Sequence, residues 1–214
     1  MSDEVTVSKP HSRRAVVKGA AWSVPVIAAA VAAPAAVASV NDLTLAFTAS
    51  STSLLSLNLL DGGGTLTATA LVTVPTQVSV SNGPGAVTGE TATVTVAVGR
   101  PAGINIPVGR ARGFGVAAFN GTATTAGQRT ATYQSAPIIG QYGFPATTWT
   151  GTTTVTVASN GTLNLPIVWG LAGVSTGVSI SALASFPVTI TVVVAGRTLT
   201  ATSTISVPVG AGIL

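Results

Sequence analysis

Strict alternation of threonine with aliphatic residues constrains this chain more than any other feature. It is clearest in ETATVTVAV at Glu90–Val98, and it recurs in VTITVVV at Val188–Val194 and RTLTATSTISV at Arg197–Val207. A two-residue period places methyl-rich side chains on one face of an extended strand and hydroxyls on the other. β-Branched residues are stiff at χ1 and suit this pleated surface. These segments are therefore predicted to be half-buried β-strands, and no segment after residue 38 shows a sustained, capped helical period.

Turn signals separate the alternating runs. Asn120-Gly121 and Asn160-Gly161 each lie between two runs, and Ala195-Gly196 separates the last two. Asn-Gly pairs suit turns whose residues need positive φ. About ten short strands, spaced by roughly 8 to 12 residues, are typical of an all-β fold. The predicted fold class is an antiparallel, immunoglobulin-like β-sandwich, preceded by an N-terminal signal helix.

Two pairs of similar segments raise the question of an internal repeat. TLTATALVTVP at Thr65–Pro75 is similar to TLTATSTISVP at Thr198–Pro208, and TVTVA occurs at both Thr93–Ala97 and Thr154–Ala158. Each TVTVA is followed by a similar run, INIPV in one case and LNLPI in the other. The pattern fits two related β-modules with a break near Gly109, one sandwich built from duplicated hairpins, or chance matching in a restricted alphabet.

The first 38 residues have the three-part layout of a secretory signal. The cations are Arg13, Arg14 and Lys18, and the apolar run is Ala20–Ala33. The small-residue peptidase site contains Ala36 and Ala38. Cleavage after Ala38 would leave a mature chain of residues 39–214. The alternative is a retained membrane anchor. Against it, the apolar run is rich in alanine, is interrupted by proline and is shorter than the roughly 20 apolar residues of a stable span.

The order Ser12-Arg13-Arg14, followed by Lys18 and a weakly apolar run, resembles a twin-arginine (Tat) signal, which exports folded proteins. With its low Lys content and its Thr/Ala/Val-rich strands, the chain is similar to Tat-exported surface or extracellular proteins of high-GC Gram-positive bacteria. This resemblance implies that the export machinery is a partner and that the protein is secreted or lies on the cell surface. Over residues 39–214 the likeness is one of composition and architecture, so it implies no role for any single residue.

Residue types needed for most catalysis are missing after residue 38. The chain has no Cys, and its only His, His11, precedes residue 39, as does every Lys. A Ser or Thr nucleophile would therefore lack its usual base, and zinc would lack its usual ligands. A glycosidase pair would have to come from Asp42, Asp61 and Glu90, but Asp61 heads a Gly-rich turn and Glu90 opens a strand. We therefore expect a protein that is not an enzyme and that uses no metal or cofactor.

Charge is sparse in residues 39–214. Five Arg against two Asp and one Glu give a net charge of 5 − 3 = +2. Nucleic acid binding needs a clustered Lys/Arg stripe, so no nucleic-acid partner is expected. Arg100, Arg110 and Arg112 form the one basic cluster. We interpret it as a loop that faces water, with a phosphate or acidic-glycan site as the alternative.

The segment YQSAPIIGQYGFPATTW at residues 133–149 is the one irregular stretch. Its glycines and prolines predict a loop, and its four aromatic residues are the candidate ligand-binding residues Tyr133, Tyr142, Phe144 and Trp149. Aromatic rings on a loop can form a platform for sugar rings. The alternative is that the loop folds its rings back over the core. The core is expected to consist mainly of Val, Leu, Ile and Ala, with few aromatics. Trp169 is expected in this core or at the sandwich edge rather than in a ligand platform.

Threonines on the polar face of the strands form a second patterned surface, made of Thr91, Thr93, Thr95, Thr152, Thr154 and Thr156. Regular threonine ladders can order water in ice-binding proteins. Because the spacing along this sequence is irregular, we interpret these threonines as ordinary exposed strand residues.

The leading functional hypothesis is a non-enzymatic secreted or cell-surface β-sandwich with a structural, adhesive or envelope-interaction role. One alternative is a carbohydrate-binding module that uses the aromatic loop at 133–149. Another is a self-assembling surface or filament subunit, because edge strands without Lys can template further pairing. The expected partners are a cell-envelope glycan or protein, or further copies of the chain.

Overall fold

The computed structural model describes residues 42–68, 71–104, 106–176 and 184–207. The predicted export signal at residues 1–38, with Arg13, Arg14, Lys18, Ala36 and Ala38, lies outside these ranges. Within them, no helix has the length and apolar character needed to cross a membrane.

Twelve β-strands account for most of the described residues, and the only helical piece among those residues is a 3-10 turn at Ala126–Gln128. The strands are β1 (Thr44–Ser53), β2 (Ser56–Leu59), β3 (Thr65–Thr67), β4 (Val72–Ser81), β5 (Val87–Val98), β6 (Gly113–Phe119), β7 (Thr122–Ala123), β8 (Arg129–Ala136), β9 (Gly140–Val157), β10 (Thr162–Ala172), β11 (Ala184–Val194) and β12 (Arg197–Val207). The prediction of an all-β fold is confirmed.

The strands join into one connected sheet, whose main path runs β3-β2-β10-β4-β12-β11-β5-β9-β8. Off this path, β1 pairs with β4, and β6 pairs with both β10 and β7. The ladders are antiparallel except that of β2 with β10, which is parallel, so the sheet is mixed. β10 connects two parts of the sheet, because Thr162–Pro166 pairs with β4 and Ile167–Ala172 pairs with β6.

The sheet folds over itself, so that β6 packs against β9 and β11. The Phe186 ring of β11 lies 5.1 Å from the Phe114 ring of β6 and 5.3 Å from the Phe144 ring of β9, both edge to face. The Phe119 ring of β6 lies 5.2 Å from the Trp149 ring of β9. These contacts give a sandwich-like arrangement with the core between its layers.

The core contains more aromatic residues than predicted from the sequence. The buried rings are those of Phe114, Phe119, Phe144, Trp149, Trp169 and Phe186. Trp169 is in the core, as expected, and its Nε1 donates a hydrogen bond to the Pro75 carbonyl oxygen at 2.5 Å. Large rings at the contact between layers fill the space that small Val and Ala side chains leave.

The burial of the strands follows the predicted alternation. In β11, Ile190 and Val192 are fully buried, whereas the intervening Thr191 is half-exposed. The predicted positive-φ turns are also present, with φ of 48° at Asn120, 55° at Asn160 and 48° at Ala195. The local pattern of the sequence therefore predicts the strands and the turns between them.

Candidate functional site

The segment 133–149 is a β-hairpin, and the prediction of a loop is wrong. Tyr133 lies in β8, and Tyr142, Phe144 and Trp149 lie in β9. Phe144 and Trp149 are only 2% and 5% exposed, because their rings pack in the core. Tyr133 and Tyr142 are half-buried. The four candidate rings therefore do not form one exposed platform, and Tyr133 and Tyr142 are the two that solvent reaches.

Tyr133 lines a cleft of about 290 Å³, which we call the Tyr133 cleft. Its polar walls come from distant parts of the chain, namely Asp61, Arg110, Arg129, Thr130, Tyr133 and Gln141. Ala172, Gly173 and Val174, at and after the end of β10, complete it. Three of the few charged residues after residue 38, namely Asp61, Arg110 and Arg129, thus line the same cleft as Tyr133.

The Tyr133 hydroxyl ties β8 to the chain before β6 and after β10. It accepts a hydrogen bond from the Val174 N–H at 2.8 Å. Its own proton can be donated to the Val174 carbonyl at 2.9 Å or to the Ala111 carbonyl at 3.0 Å. Burial raises the pKa of Tyr133 above its ordinary value of 10.0, and the Val174 hydrogen bond and the nearby Arg110 and Arg112 charges partly oppose this shift. The phenol is therefore neutral at physiological pH.

Arg110 covers one face of the Tyr133 ring. Its guanidinium carbon lies 5.7 Å from the ring centroid, within cation–π range. Its Nη1 also donates to the Gln141 side-chain oxygen at 3.2 Å, and its backbone N–H donates to the Thr176 hydroxyl at 2.8 Å. Arg110, in the loop before β6, is thus held by the segment after β10 and by the start of β9.

Arg129 also lines the cleft, and neutral oxygens hold its guanidinium. Its Nη1 donates to the Thr124 carbonyl at 2.9 Å and to the Thr124 hydroxyl at 2.7 Å, and its Nη2 donates to the Leu60 carbonyl at 3.0 Å. Its buried Nε has no hydrogen-bond partner within the described part of the chain. These neutral contacts leave the positive charge of Arg129 at the cleft wall.

Asp61 closes the cleft from the turn after β2. Its carboxylate accepts a hydrogen bond from the Gly173 N–H at 2.6 Å. Gly173 has φ of 81°, and a Cβ at this position would collide with the Tyr133 hydroxyl. Only glycine therefore lets Asp61 and Tyr133 approach the end of β10 together. The finished cleft offers a carboxylate, two guanidinium groups and an amide to a polar ligand.

The basic cluster of Arg100, Arg110 and Arg112 does not face water as a group, so that interpretation is wrong. Arg100 donates from Nε to the Phe144 carbonyl at 3.0 Å and from Nη2 to the Thr132 carbonyl at 2.7 Å. These two carbonyls lie where the β8–β9 pairing changes register, between Thr132 and Gln134, and Arg100 satisfies them there. Arg112 is half-buried, and of the three only Arg110 lines the Tyr133 cleft.

The three carboxylates considered for a glycosidase pair belong to different parts of the fold. Asp42 packs beside Gly83, Asp61 contacts Gly173, and Glu90 lies opposite Val155 in the β5–β9 ladder. In the described ranges, no group of three or more His, Cys, Asp or Glu side chains could hold a metal ion.

The sequence alone did not indicate that Asp61, Arg129 and Gln141 line the same cleft as Tyr133. Asp61 and Gly173 are 112 residues apart, and only the parallel pairing of β2 with β10 brings them together. The one sequence signal was the scarcity of charge, which makes each charged residue worth locating. Comparison with models of known protein families and with curated proteins found no match to this chain.

Proposed function

We propose that the protein is a non-enzymatic, secreted or cell-surface β-sandwich of immunoglobulin-like type, with an adhesive or envelope-interaction role. The Tyr133 cleft is the observation that supports this role. Its phenol, guanidinium and amide groups are already held by hydrogen bonds to the surrounding chain. Groups that are held in place lose little conformational freedom on binding, so the cleft suits reversible recognition of a polar ligand.

Export rests on the resemblance of residues 12–38 to a twin-arginine signal. Expression of the full chain in a Gram-positive host with a working Tat pathway tests this part of the proposal. The protein should be found outside the membrane with Ser39 at its N-terminus, and an Arg13→Lys, Arg14→Lys double variant should stay in the cell. Export of the double variant at the wild-type level would contradict a twin-arginine route.

Recognition of an acidic glycan is a second candidate function, and the composition of the cleft favours it. Arg110 and Arg129 can pair with a sugar carboxylate, while Asp61 and Gln141 can bind hydroxyls. Tyr133 and Gln141 come from the segment 133–149, whose aromatic residues are the candidate ligand-binding residues of the sequence. Hydrolysis of glycans or peptides by the purified protein would contradict the non-enzymatic role in either form.

Retention on immobilised acidic and neutral glycans tests the second candidate. Arg110→Ala should weaken retention by acidic glycans at least about tenfold, since a hydrogen bond to a charged group contributes about 1.5 to 3 kcal/mol. Arg197→Ala, at the first residue of β12, removes the same charge away from the cleft and should leave retention unchanged. Equal effects of the two variants would indicate non-specific charge attraction. Trp149 is unsuitable for this test because it is buried in the core.

A further inference from the structure

Ten threonines form a regular array on the outer face of four neighbouring strands, β9, β5, β11 and β12. Backbone pairing joins Thr150 to Thr95, Thr95 to Thr191, and Thr191 to Thr200, which makes one complete row across the sheet. The row on one side contains Thr148, Ala97, Thr189 and Thr202, and the row on the other contains Thr152, Thr93, Val193 and Thr198. We call these three rows the threonine array.

The array is regular in two directions. The three ladders have no register shift within these rows. Neighbouring strands are therefore about 4.7 to 4.9 Å apart, and successive rows along a strand are about 6.6 to 6.8 Å apart. Within the complete row, the hydroxyl oxygens of Thr95 and Thr150 are 3.3 Å apart. The irregular spacing in the sequence concealed this order, because it arises from lateral alignment between strands.

A rigid layer supports the array. Between the outward threonines, the side chains of Val94, Val96, Ile190 and Val192 point into the core and are at most 1% exposed. β-Branched threonines have few χ1 rotamers, so their hydroxyls and methyls have little freedom to reorient. The array therefore presents a nearly fixed pattern of alternating polar and apolar groups.

The chemistry of the array limits what can cover it. All twelve positions are uncharged, and ten of them carry a hydroxyl. A dry apolar partner would leave these hydroxyls without hydrogen bonds, which is unfavourable. Sugar rings pack best on aromatic faces, and the array has no aromatic residue. The best partner is itself a periodic lattice of hydrogen-bond donors and acceptors that tolerates methyl groups between them.

We propose that the threonine array binds ice. Its hydroxyls hydrogen-bond to lattice water, and its methyls order the water beside them. No array position carries a charge that would bind water in a different geometry. Adjacent strands of a sheet are twisted by about 20 to 25°. A flat ice surface aligned with the central strands β5 and β11 therefore fits them best, and its mismatch grows toward β9 and β12. Substitutions in β5 and β11 should have the largest effect. This function does not depend on the Tyr133 cleft.

Incorporation of the purified protein into slowly growing ice, together with inhibition of ice recrystallisation, tests the proposal. The wild-type protein should enter the ice, whereas Thr191→Lys, at the centre of the complete row, should raise the concentration needed to stop recrystallisation by about tenfold or more. Thr200→Lys, at the more exposed end of that row, is a second variant in case Thr191→Lys does not fold. Thr122→Lys places the same charge on an exposed threonine of β7, outside the array, and should behave as wild type.

Three results would overturn the proposal. The first is exclusion of the wild-type protein from ice, as for an inert protein of the same size. The second is unchanged ice activity in both array variants when circular dichroism shows that they are folded. The third is binding to crystalline chitin or cellulose, without ice activity, that Thr191→Lys abolishes, since the array would then serve a polysaccharide.

Discussion

Tyr133 shows how one side chain can connect segments that do not pair as strands. Its hydroxyl contacts Ala111 before β6 and Val174 after β10, and its ring lies under Arg110. In a chain with so few charges, the cleft is organised by this neutral phenol rather than by a network of ion pairs. Removing the hydroxyl should therefore affect both stability and ligand binding.

Tyr133→Phe should lower the free energy of unfolding by about 1 to 3 kcal/mol at pH 7, because the buried Ala111 carbonyl loses its hydrogen-bond donor. Burial raises the pKa of Tyr133 above 10.0 in the folded protein. The folded state therefore holds this proton more tightly than the unfolded state, and its contribution is fully present below pH 10 and is lost as the pH rises through the folded pKa. In urea unfolding, the difference between wild type and variant should shrink above pH 10. A difference that stays constant to pH 11 would contradict this role.

Gly173→Ala should destabilise the protein by about 2 to 3 kcal/mol, since positive φ is costly for alanine and its Cβ would collide with the Tyr133 hydroxyl. Gly121→Ala is the matched control, because Gly121 has φ of 75° but open space around a Cβ. Thermal unfolding of both variants separates the backbone cost from the collision. Equal melting temperatures would show that Tyr133 does not approach Gly173 this closely.

At the level of single strands, threonine–aliphatic alternation was sufficient to predict where the chain is extended. It failed at 133–149, where Gly143 and Pro145 indicated a loop. In the structure these residues lie within β9, beside the change of register opposite Thr132 and Gln134. A proline without an N–H and a glycine with φ of 79° fit such an irregularity without ending the strand.

The similar segments found in the sequence take different places in the sheet. Both copies of TVTVA form strand, in β5 and β9, and these strands pair with each other. The first TLTAT segment begins with the short β3, whereas the second lies within the long β12. The described parts of both similar segments therefore contain strand, while strand length and partner depend on non-local pairing. For the same reason, the sequence pointed to Tyr133 but not to Asp61 or Arg129 as its neighbours.

Phe186 tests the packing between β11, β6 and β9. Phe186→Ala should cost about 3 to 5 kcal/mol, because the ring is fully buried between Phe114 and Phe144. Phe47→Ala, on the half-buried face of β1, should cost less. Chemical unfolding followed by near-UV circular dichroism measures both. A larger loss for Phe47 would contradict the assignment of the three-ring cluster to the centre of the core.

At the scale of the whole molecule, the few charged residues and the many threonines occupy different surfaces. The Tyr133 cleft lies where β8, the end of β10 and the turn after β2 meet, whereas the threonine array covers the outer face of β9, β5, β11 and β12. The edge strands β1 and β8 each pair with a single described strand. Of these two strands, β1 carries no charged residue, whereas β8 begins with Arg129.

Co-sedimentation of the purified protein with isolated Gram-positive cell walls, beside a tube without walls, tests the envelope-interaction role most directly. The wild-type protein and Arg197→Ala should pellet only when walls are present, and Arg110→Ala should remain largely in the supernatant. A wild-type protein that stays soluble in both tubes would contradict the role. Pelleting without walls would contradict it as well, and would show that the chain assembles with itself.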